Sequence, residues 1–221
     1  TMIGGGVVNI VGVNSGWDIV AIGDYNNDGK SDMLWRNSTS GMLWQYQMDG
    51  TAIIHSAQVA QLNDADWKVL ASTDMDGNGT SDIILRHAQS GMVWQYLMDG
   101  SHIAESKLVM NAGLEWQLVI TGDFDGDMDG DLLWRNTVDG QNYVYLLDAG
   151  VVNWDNRGKI SQFSDQNWQA QIAADFDGDG DMDILWRHVA DGRNYMYLMN
   201  GLSFSGRNVN TVSDLSWMPV K

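Results

Sequence analysis

The sequence predicts an all-β fold built from four similar β-sheets that follow one another along the chain. A tryptophan opens a similar stretch at Trp17, Trp67, Trp116, Trp168 and Trp217, at intervals of 50, 49, 52 and 49 residues. Short runs inside each stretch alternate apolar with polar residues, which is the period of a half-buried strand. No stretch has a helical period, and the chain contains one proline. These three observations predict strands throughout.

Composition limits the classes of function. The 221 residues are 44% hydrophobic and 10% aromatic, enough for a globular core. The formal net charge of −17 makes nucleic acid and anionic lipid improbable partners. Without cysteine, disulfides, zinc–thiolate sites and thiol catalysis are excluded. No apolar run approaches the roughly 18 residues of a membrane span, so no membrane insertion is expected. The start of the chain lacks the basic and apolar regions of a signal peptide, so we expect a mature or trimmed piece.

Each repeat contains four predicted strands. The first runs from the tryptophan to a small residue, over 17–23, 67–73, 116–122 and 168–174. The second covers 33–36, 83–86, 132–135 and 184–187, and the third alternates large apolar with polar residues over 42–46, 92–96, 142–145 and 194–197. The third ends at a turn before a glycine, which favours a hairpin. A weaker fourth strand follows, through 52–60 in the first repeat.

Four antiparallel strands per unit of about 50 residues are typical of the blades of a β-propeller. We therefore predict one propeller repeat array over 1–221, with units at approximately 17–66, 67–115, 116–167 and 168–216. Partial strands are expected at 1–16, where 6–10 reads as a fourth strand, and at 217–221, which reads as the start of a first strand. Sheet edges must be closed, covered or paired. A closed four-bladed ring, part of a larger ring and a ring of several chains all remain open.

An acidic loop with the pattern Asp-x-Asx-x-Asx-x-x-x-Asp begins seven residues after each of the first four tryptophans. Calcium takes about 6 to 8 oxygen ligands, and such a loop can supply side chains from positions 1, 3, 5 and 9 and a carbonyl from position 7. The predicted side-chain ligands are Asp24, Asn26, Asp28, Asp32, Asp74, Asp76, Asn78, Asp82, Asp123, Asp125, Asp127, Asp131, Asp175, Asp177, Asp179 and Asp183. The predicted carbonyl ligands are Lys30, Thr80, Asp129 and Asp181.

The alternative is a set of acidic surface turns, which aspartate and glycine also favour. Four repeats of such a loop without a cation would bring carboxylates together at a Coulomb cost. Up to four calcium ions, one per loop, would offset eight of the formal negative charges. An EF-hand is excluded because position 12 carries no glutamate and no helix flanks the loop. We therefore predict calcium in these loops.

The four loops are not expected to bind equally. Glycine at position 6 permits a left-handed turn, and Gly29, Gly79 and Gly180 supply it where the third loop has Met128. The third loop is therefore the doubtful one, with Gly130 a possible source of a variant turn. The first two loops each replace a carboxylate with asparagine, so we expect the fourth loop to be among the tightest.

The loop 175–183, followed by Ile-Leu-Trp-Arg at 184–187, resembles the FG-GAP or VCBS repeats of integrin-α-type β-propellers. The resemblance covers essentially the whole chain. It implies calcium held between the first two strands of each blade, usually in a ring of seven blades. It further implies an extracellular protein that serves in adhesion, in sugar binding or as an accessory domain of a secreted enzyme. The four repeats differ from the usual seven, so ring closure is not implied.

No residue has the unique placement that catalysis needs, since nearly every polar residue recurs in other repeats. His87 and His188 match Asn37 and Asn136, which favours a structural hydrogen-bonding role. The recurring arginines 36, 86, 135 and 187 are interpreted as partners of loop carboxylates or as cations stacked on tryptophan. We expect no enzyme activity.

Most of the eleven tryptophans recur at apolar positions and are predicted to lie in the core between blades. Trp154 alone falls outside the repeat, so it is the candidate ligand contact. The expected function is a secreted, calcium-binding module that binds glycans or cell-surface proteins, of lectin or adhesion type. The alternatives are a non-catalytic propeller domain of a secreted hydrolase or polysaccharide lyase, and a structural module that forms homo-oligomers or continues a larger propeller.

Overall fold

The computed structural model describes residues 15–217. They form sixteen strands joined by turns and loops. In chain order they are β1 Trp17–Gly23, β2 Asp32–Asn37, β3 Met42–Asp49, β4 Ala52–Gln61, β5 Trp67–Thr73, β6 Asp82–His87, β7 Met92–Asp99, β8 His102–Asn111, β9 Trp116–Gly122, β10 Asp131–Asn136, β11 Gln141–Asp148, β12 Val151–Gln162, β13 Trp168–Ala174, β14 Asp183–His188, β15 Asn194–Asn200 and β16 Ser203–Val209. In this part of the chain no helix is long and apolar enough to cross a membrane.

The strands form four sheets of four, each made of consecutive antiparallel strands. We call them the first sheet (β1–β4), the second (β5–β8), the third (β9–β12) and the fourth (β13–β16). This confirms the predicted all-β class and the four-stranded repeat. The first strand of every sheet carries a register shift against its neighbour, for example between Ile19 and Ala21. Such a bulge bends the strand where the acidic loop follows.

Glycines at the predicted hairpin turns take the left-handed conformation that those turns require. Their φ angles are 61° at Gly50, 64° at Gly100, 70° at Gly150 and 57° at Gly201. In three sheets this glycine is the first residue of a two-residue loop, whereas in the third sheet Ala149, with a φ of 48°, is the first and Gly150 the second.

The chain divides into two compact units, one holding strands β1–β8 and the other β9–β16. The first unit has a core in which buried residues of both its sheets cluster: Tyr25, Leu34, Leu43, Leu62, Ile83, Leu85 and Met98. The second has the corresponding core of Phe124, Leu133, Val144, Leu146, Ala170, Ile184, Trp186, Tyr197 and Met199. In each unit, two sheets bury one shared apolar layer.

Most residues of the partial strands expected at the two ends lie outside the described residues. The strand expected at 6–10 lies outside the described residues. At the other end only Trp217 is described, and it belongs to no strand and is 69% exposed.

Candidate metal-binding loops and aromatic clefts

Each acidic loop connects the first and second strands of a sheet and curls around its first aspartate. In the third loop, Asp123 accepts hydrogen bonds from the backbone N–H of Gly126 (2.7 Å) and Met128 (2.8 Å). Asp24, Asp74 and Asp175 accept the corresponding bond from the residue at position 6, at 2.7 Å, 2.8 Å and 3.2 Å. Backbone amides that donate to one carboxylate stabilise the loop conformation without a metal ion.

The residue at position 6 has a positive φ angle, in the left-handed region, in all four loops. The φ angle is 78° at Gly29, 86° at Gly79, 105° at Gly180 and 77° at Met128. The variant turn through Gly130 is therefore not used, and that expectation was wrong: Gly130 has no positive φ. Met128 adopts a backbone conformation that is strained for a residue with a β-carbon, and its side chain is 75% exposed. The third loop thus keeps the shape of the others.

The aspartate at position 9 is fully buried in every loop, at Asp32, Asp82, Asp131 and Asp183. One oxygen of Asp131 accepts from the N–H of Phe124 and the other from the N–H of Leu147, both at 2.8 Å. Equivalent bonds reach Met48, Met98 and Met199 at 2.7 to 2.8 Å. Burial, the largest cause, raises the pKa of Asp131 to about 8. Asp131 therefore joins the loop to the third strand by hydrogen bonds. Its predicted role was that of a metal ligand only.

Three loops bring three carboxylates together, each group with ligand atoms within 4.8 Å of one another. The groups are Asp74, Asp76 and Asp82; Asp123, Asp125 and Asp127; and Asp175, Asp177 and Asp183. Oδ1 of Asp125 is buried without a hydrogen-bond partner. Burial and the neighbouring Asp127 and Asp123 raise the pKa of Asp125 to about 6. A buried, unpaired carboxylate oxygen beside two more carboxylates fits a hard cation, because only oxygen ligands are offered.

The first loop differs, since no such group of three occurs there among the described residues. Lys30 Nζ instead lies 3.5 Å from Asp28 and 3.2 Å from Asp49. The hydrogen bond to Asp49, with the charge of Asp28, raises the pKa of Lys30. An ammonium group at the loop competes with a metal for the same carboxylate. The first loop, and not the third, is therefore the weakest candidate.

The side chains at position 7 tie three of the loops to the hairpin between the third and fourth strands. Thr80 Oγ1 donates to the carbonyl of Met98 at 2.8 Å. Asp129 accepts from the N–H of Ala149 at 2.5 Å, and Asp181 from that of Gly201 at 3.3 Å. The predicted contribution of these residues was the backbone carbonyl, which stays a prediction.

Two of the recurring arginines, Arg135 and Arg187, bind backbone carbonyls and an asparagine side chain of their own sheet. Arg135 donates to the carbonyls of Gly140 (3.1 Å) and Phe163 (2.9 Å) and to the side chain of Asn142 (3.0 Å). Arg187 makes the equivalent bonds, including one to the carbonyl of Val212 at 3.0 Å. These arginines clamp the start of the third strand to the segment that follows the fourth. Arg135 also lies 5.7 Å from the ring of Trp186, which agrees with the predicted stacking.

His87 and His188 stabilise turns, as their repeat positions suggest. His87 Nδ1 accepts from the N–H of Ser90 at 3.1 Å, and its Nε2 is 3.1 Å from Asp64. Asn37 does the same with its amide, accepting from Ser40 and donating to Ser15. Asp64, Asp66 and His87 lie close enough to hold a metal, a group that sequence reasoning missed. The turn hydrogen bonds account for this group, and Asn167 replaces its second aspartate in the fourth sheet.

Aromatic clefts recur at one position of the repeat. In the first sheet, Trp17, Trp35, Met42, Trp44 and Tyr46 line a cavity of about 250 Å³. In the second, Leu62, Trp67, Leu85, Trp94, Tyr96 and Ser106 line one of about 270 Å³. In the fourth, Phe163, Trp168, Arg193, Asn194, Tyr195, Asn208, Val209 and Thr211 line one of about 390 Å³. Three of the tryptophans at strand starts, Trp17, Trp67 and Trp168, therefore line clefts, whereas Trp134 and Trp186 are fully buried.

Trp154, the predicted ligand contact, is 51% exposed on β12. The guanidinium of Arg157 lies 4.9 Å from the centre of its ring, and Tyr145 makes an edge contact at 6.1 Å. One part of the indole is thus already in contact with a cation. Its role in binding stays a prediction.

A profile of the FG-GAP-like repeat family matches residues 24–85 and 123–186. Each range begins at the first aspartate of one acidic loop and ends in the strand that follows the next loop, and together they make up more than half of the chain. The protein belongs to the FG-GAP-like repeat family. No curated protein sequence is significantly similar to it.

Solved structures confirm the propeller fold. A lectin from Agrocybe aegerita, described as recognising non-reducing terminal N-acetylglucosamine, superposes with a TM-score of 0.68 at 18% identity, over 88% of this chain and 52% of the lectin. The Dos1 propeller superposes with a TM-score of 0.52 at 10% identity, over 89% of this chain and 49% of that one. The chain thus spans about half the length of each of these two structures.

Proposed function

We propose that this chain is a secreted, calcium-stabilised propeller module that binds glycans through aromatic clefts and catalyses no reaction. The repeat family, the acidic loops and the clefts support the proposal together. The fourth-sheet cleft is the observation that carries glycan binding.

The fourth-sheet cleft combines the two kinds of surface that a sugar needs. Trp168 and Tyr195 both line the cavity, and the apolar C–H face of a pyranose can pack against Tyr195. Trp168 supports this wall from behind, since Phe163 stacks on it at 5.1 Å and the guanidinium of Arg193 lies 5.3 Å from its ring. Arg193, Asn208 and Thr211 bring polar groups to the same cavity of about 390 Å³. A mostly apolar cavity with a few convergent polar groups is the usual form of a small-ligand site.

Calcium would be held by the carboxylates of the second, third and fourth loops. Its role there is electrostatic: a divalent cation offsets the repulsion among three carboxylates and supplies a partner for Oδ1 of Asp125. It would act on the clefts only indirectly, by keeping the sheets in place. Extracellular calcium, in the millimolar range, suits loops of this kind, so we place the module outside the cell.

The absence of catalysis is part of the proposal. The most conspicuous polar side chains stabilise turns and strand ends by hydrogen bonds. They are the arginines at 135 and 187 and the histidines at 87 and 188. We expect a bound oligosaccharide to be recovered unchanged after long incubation, as measured by release of reducing ends.

A glycan array run with calcium and with chelator tests the binding. Glycans ending in N-acetylglucosamine are the first probes, since the structurally similar lectin is described as recognising that sugar. We expect Arg193→Ala and Asn208→Ala each to weaken binding about tenfold, the equivalent of one lost charged or polar contact.

Arg207→Ala is the matched control, because Arg207 is an exposed arginine of the same sheet outside the cleft. It should leave binding unchanged. An array with no bound glycan, on protein whose folding is shown by circular dichroism, would contradict the proposed function.

A further inference from the structure

We propose that His188, in its charged form, holds Asp191 and through it Arg193, so that glycan binding in the fourth-sheet cleft weakens as the pH rises. This role rests on the proposed function, because Arg193 is one of the residues that line the cleft. His188 and Asp191 act through Arg193 and are therefore positioning residues. Their contacts can be followed with or without a ligand.

Four side chains of alternating charge form a row that ends at the cleft. His188 lies at the end of β14, and its side chain is 6% exposed. Its Nε2 is 2.8 Å from Oδ2 of Asp165, and its Nδ1 is 2.7 Å from Oδ1 of Asp191. The first contact is a hydrogen bond, and the second is an ion pair without hydrogen-bond alignment. The other oxygen of Asp191 accepts from Nε of Arg193 at 2.9 Å. We call these four residues the charge row.

The two carboxylates of the charge row are both ionised. The hydrogen bond from His188 is the largest of the causes that lower the pKa of Asp165 to about 2. Burial opposes the ionisation of Asp191, but the hydrogen bonds and charge of Arg193 lower its pKa. A neutral imidazole carries a proton on one nitrogen only, so its other nitrogen would present a lone pair to a carboxylate. Both contacts are therefore attractive only when His188 is charged.

Two carboxylates face the imidazole directly, and two guanidinium groups lie behind them. Asp165 belongs to the segment before β13, and Asp191 to the turn between β14 and β15. Arg193 pairs with Asp191, and Arg135 of β10 donates to the carbonyl of Asp165 at 3.4 Å. The ring of Trp168, on β13, makes an edge contact with the imidazole at 5.1 Å and brings no charge. The state of the imidazole therefore decides whether both carboxylates have a partner.

The second sheet shows the same turn with one carboxylate fewer. His87 occupies the equivalent position, and Ser90 stands where the fourth sheet has Asp191. Nε2 of His87 is 3.1 Å from Asp64, while its Nδ1 accepts from the N–H of Ser90 at 3.1 Å. A nitrogen that accepts from a backbone N–H carries no proton, so this turn suits a neutral imidazole. The aspartate of the fourth-sheet turn is thus the residue that requires a charged one.

Loss of the proton from His188 should break the contact with Asp191 and keep the contact with Asp165. The neutral ring can retain its aligned hydrogen bond from Nε2, as in the second sheet. Its Nδ1 then presents a lone pair to Asp191, whose own N–H is directed at the carbonyl of His188 at 3.4 Å instead. Repulsion between the lone pair and the carboxylate should move Asp191, and Arg193 then loses the partner of its Nε.

Arg193 distinguishes the fourth-sheet cleft from the other clefts. Its equivalents in the first and second sheets are Met42 and Met92. The side chain of Arg193 is 54% exposed, and its guanidinium lies 5.3 Å from the ring of Trp168. A long, exposed side chain that is already held in place loses less conformational entropy when it binds a ligand. Binding should therefore weaken when the ion pair with Asp191 breaks.

NMR of the His188 ring nitrogens and of Nε of Arg193 tests the charge row without a ligand. Between about pH 6 and about pH 9 we expect the ring to change from two protonated nitrogens to one. The Nε signal of Arg193 should shift with the same midpoint. A ring that keeps one charge state across this range, or an Arg193 signal that does not follow it, would overturn the proposal.

Glycan affinity over the same pH range, in saturating calcium and with the N-acetylglucosamine-terminated probe, tests the effect on the cleft. The parent chain should bind up to about tenfold more weakly at the higher pH, the factor expected for loss of the Arg193 contact. Asp191→Ser copies the second sheet, and His188→Asn copies the first and third. Both should bind at every pH as weakly as the parent chain does at high pH.

Asp139→Ser is the matched control, because Asp139 occupies the same turn position in the third sheet, where Asn136 replaces the histidine. It should keep the pH profile of the parent chain. Loss of calcium would give the opposite sign, since protonation of the loop carboxylates weakens metal binding at low pH.

The two measurements separate this inference from the proposed function. Glycan binding with a pH-independent affinity would overturn the inference and leave the proposed function intact. A chain that binds no glycan would refute the proposed function and the pH effect on binding, whereas a coupled titration of His188 and Arg193 would still establish the positioning.

Discussion

The aspartates of one acidic loop differ in what they do, despite their regular spacing. Asp131 has no exposure and accepts two backbone N–H bonds. Asp127 is exposed, and its side chain accepts one bond from the N–H of Asp129 at 2.9 Å. The first residue holds the loop to the sheet, and the second is free to serve a cation.

We expect Asp131→Ala to lower the free energy of unfolding of calcium-free protein by about 2 to 4 kcal/mol, because it leaves two buried N–H groups unpaired. Urea unfolding in chelator measures this. Asp127→Asn is the control: it should change stability little in chelator and weaken calcium binding. Equal losses of stability from the two substitutions would show that position 9 has no special structural role.

Met128 holds a left-handed conformation that costs an L-residue with a β-carbon about 1 to 2 kcal/mol. Met128→Gly should therefore stabilise the protein by about 0.5 to 1 kcal/mol, since the greater freedom of glycine in the unfolded chain offsets part of the gain. Gly29→Met makes the reverse change at a position where an added β-carbon meets nothing within 4 Å. It should destabilise by a similar amount, and denaturation midpoints that move in the same direction would refute this account.

At the scale of elements, each sheet is held by its hairpins and by an arginine that joins strands distant in sequence. Arg135 links β10 to Gly140, before β11, and to Phe163, after β12. The guanidinium is suited to this because its donors point in fixed, diverging directions. The arginine therefore holds Phe163, the first residue after the fourth strand, against the start of the third strand.

Arg135→Lys should cost about 2 kcal/mol, because an ammonium group cannot reach both carbonyls and the side chain of Asn142 together. Hydrogen exchange should show the effect locally: the amide of Phe163, which donates to Gly140 at 3.0 Å, should lose protection. Arg207→Lys, on an exposed position of β16, serves as the control. Unchanged protection at Phe163 would mean that the segment after β12 is held by packing and not by Arg135.

At the scale of the whole molecule, the excess of acidic residues is concentrated in the loops between the first and second strands of the sheets. Much of the net charge of −17 lies in four loops of nine residues. Without cations these loops repel bound anions and one another's carboxylates. The stability of the chain should therefore depend on divalent cations more than on monovalent salt.

Calcium should raise the thermal midpoint, and chelation should lower it, because a ligand that binds only the folded state stabilises it. At a free concentration of 100 times Kd, each occupied site contributes about 2.7 kcal/mol. Calorimetry should find tighter sites in the second, third and fourth loops than in the first, where Lys30 competes. Magnesium at the same concentration is the control, since its octahedral demand suits a flexible loop less well. Equal midpoints in calcium and chelator would remove calcium from the proposal.

Much of the fold was predictable from the sequence because its signals are local and repeated. Tryptophan spacing located the sheets, alternation located the strands, and glycine before a fourth strand located each hairpin. The first strands agree with prediction at both ends, and the second strands extend one residue further on each side. The acidic pattern likewise identified the loops, since ligand spacing is a property of nine consecutive residues.

By itself, the sequence determined the all-β class, the four-stranded repeat and the places where carboxylates gather, because each depends on residues near one another in the chain. Only the tertiary structure decided that position 9 anchors the loop, that Lys30 pairs with Asp28 of the first loop, and that Arg135 holds the segment after the fourth strand. It also decided which tryptophans line clefts and which are buried. These depend on partners 16 to 30 residues away or on a neighbouring sheet, and sequence spacing carries no distance between such groups.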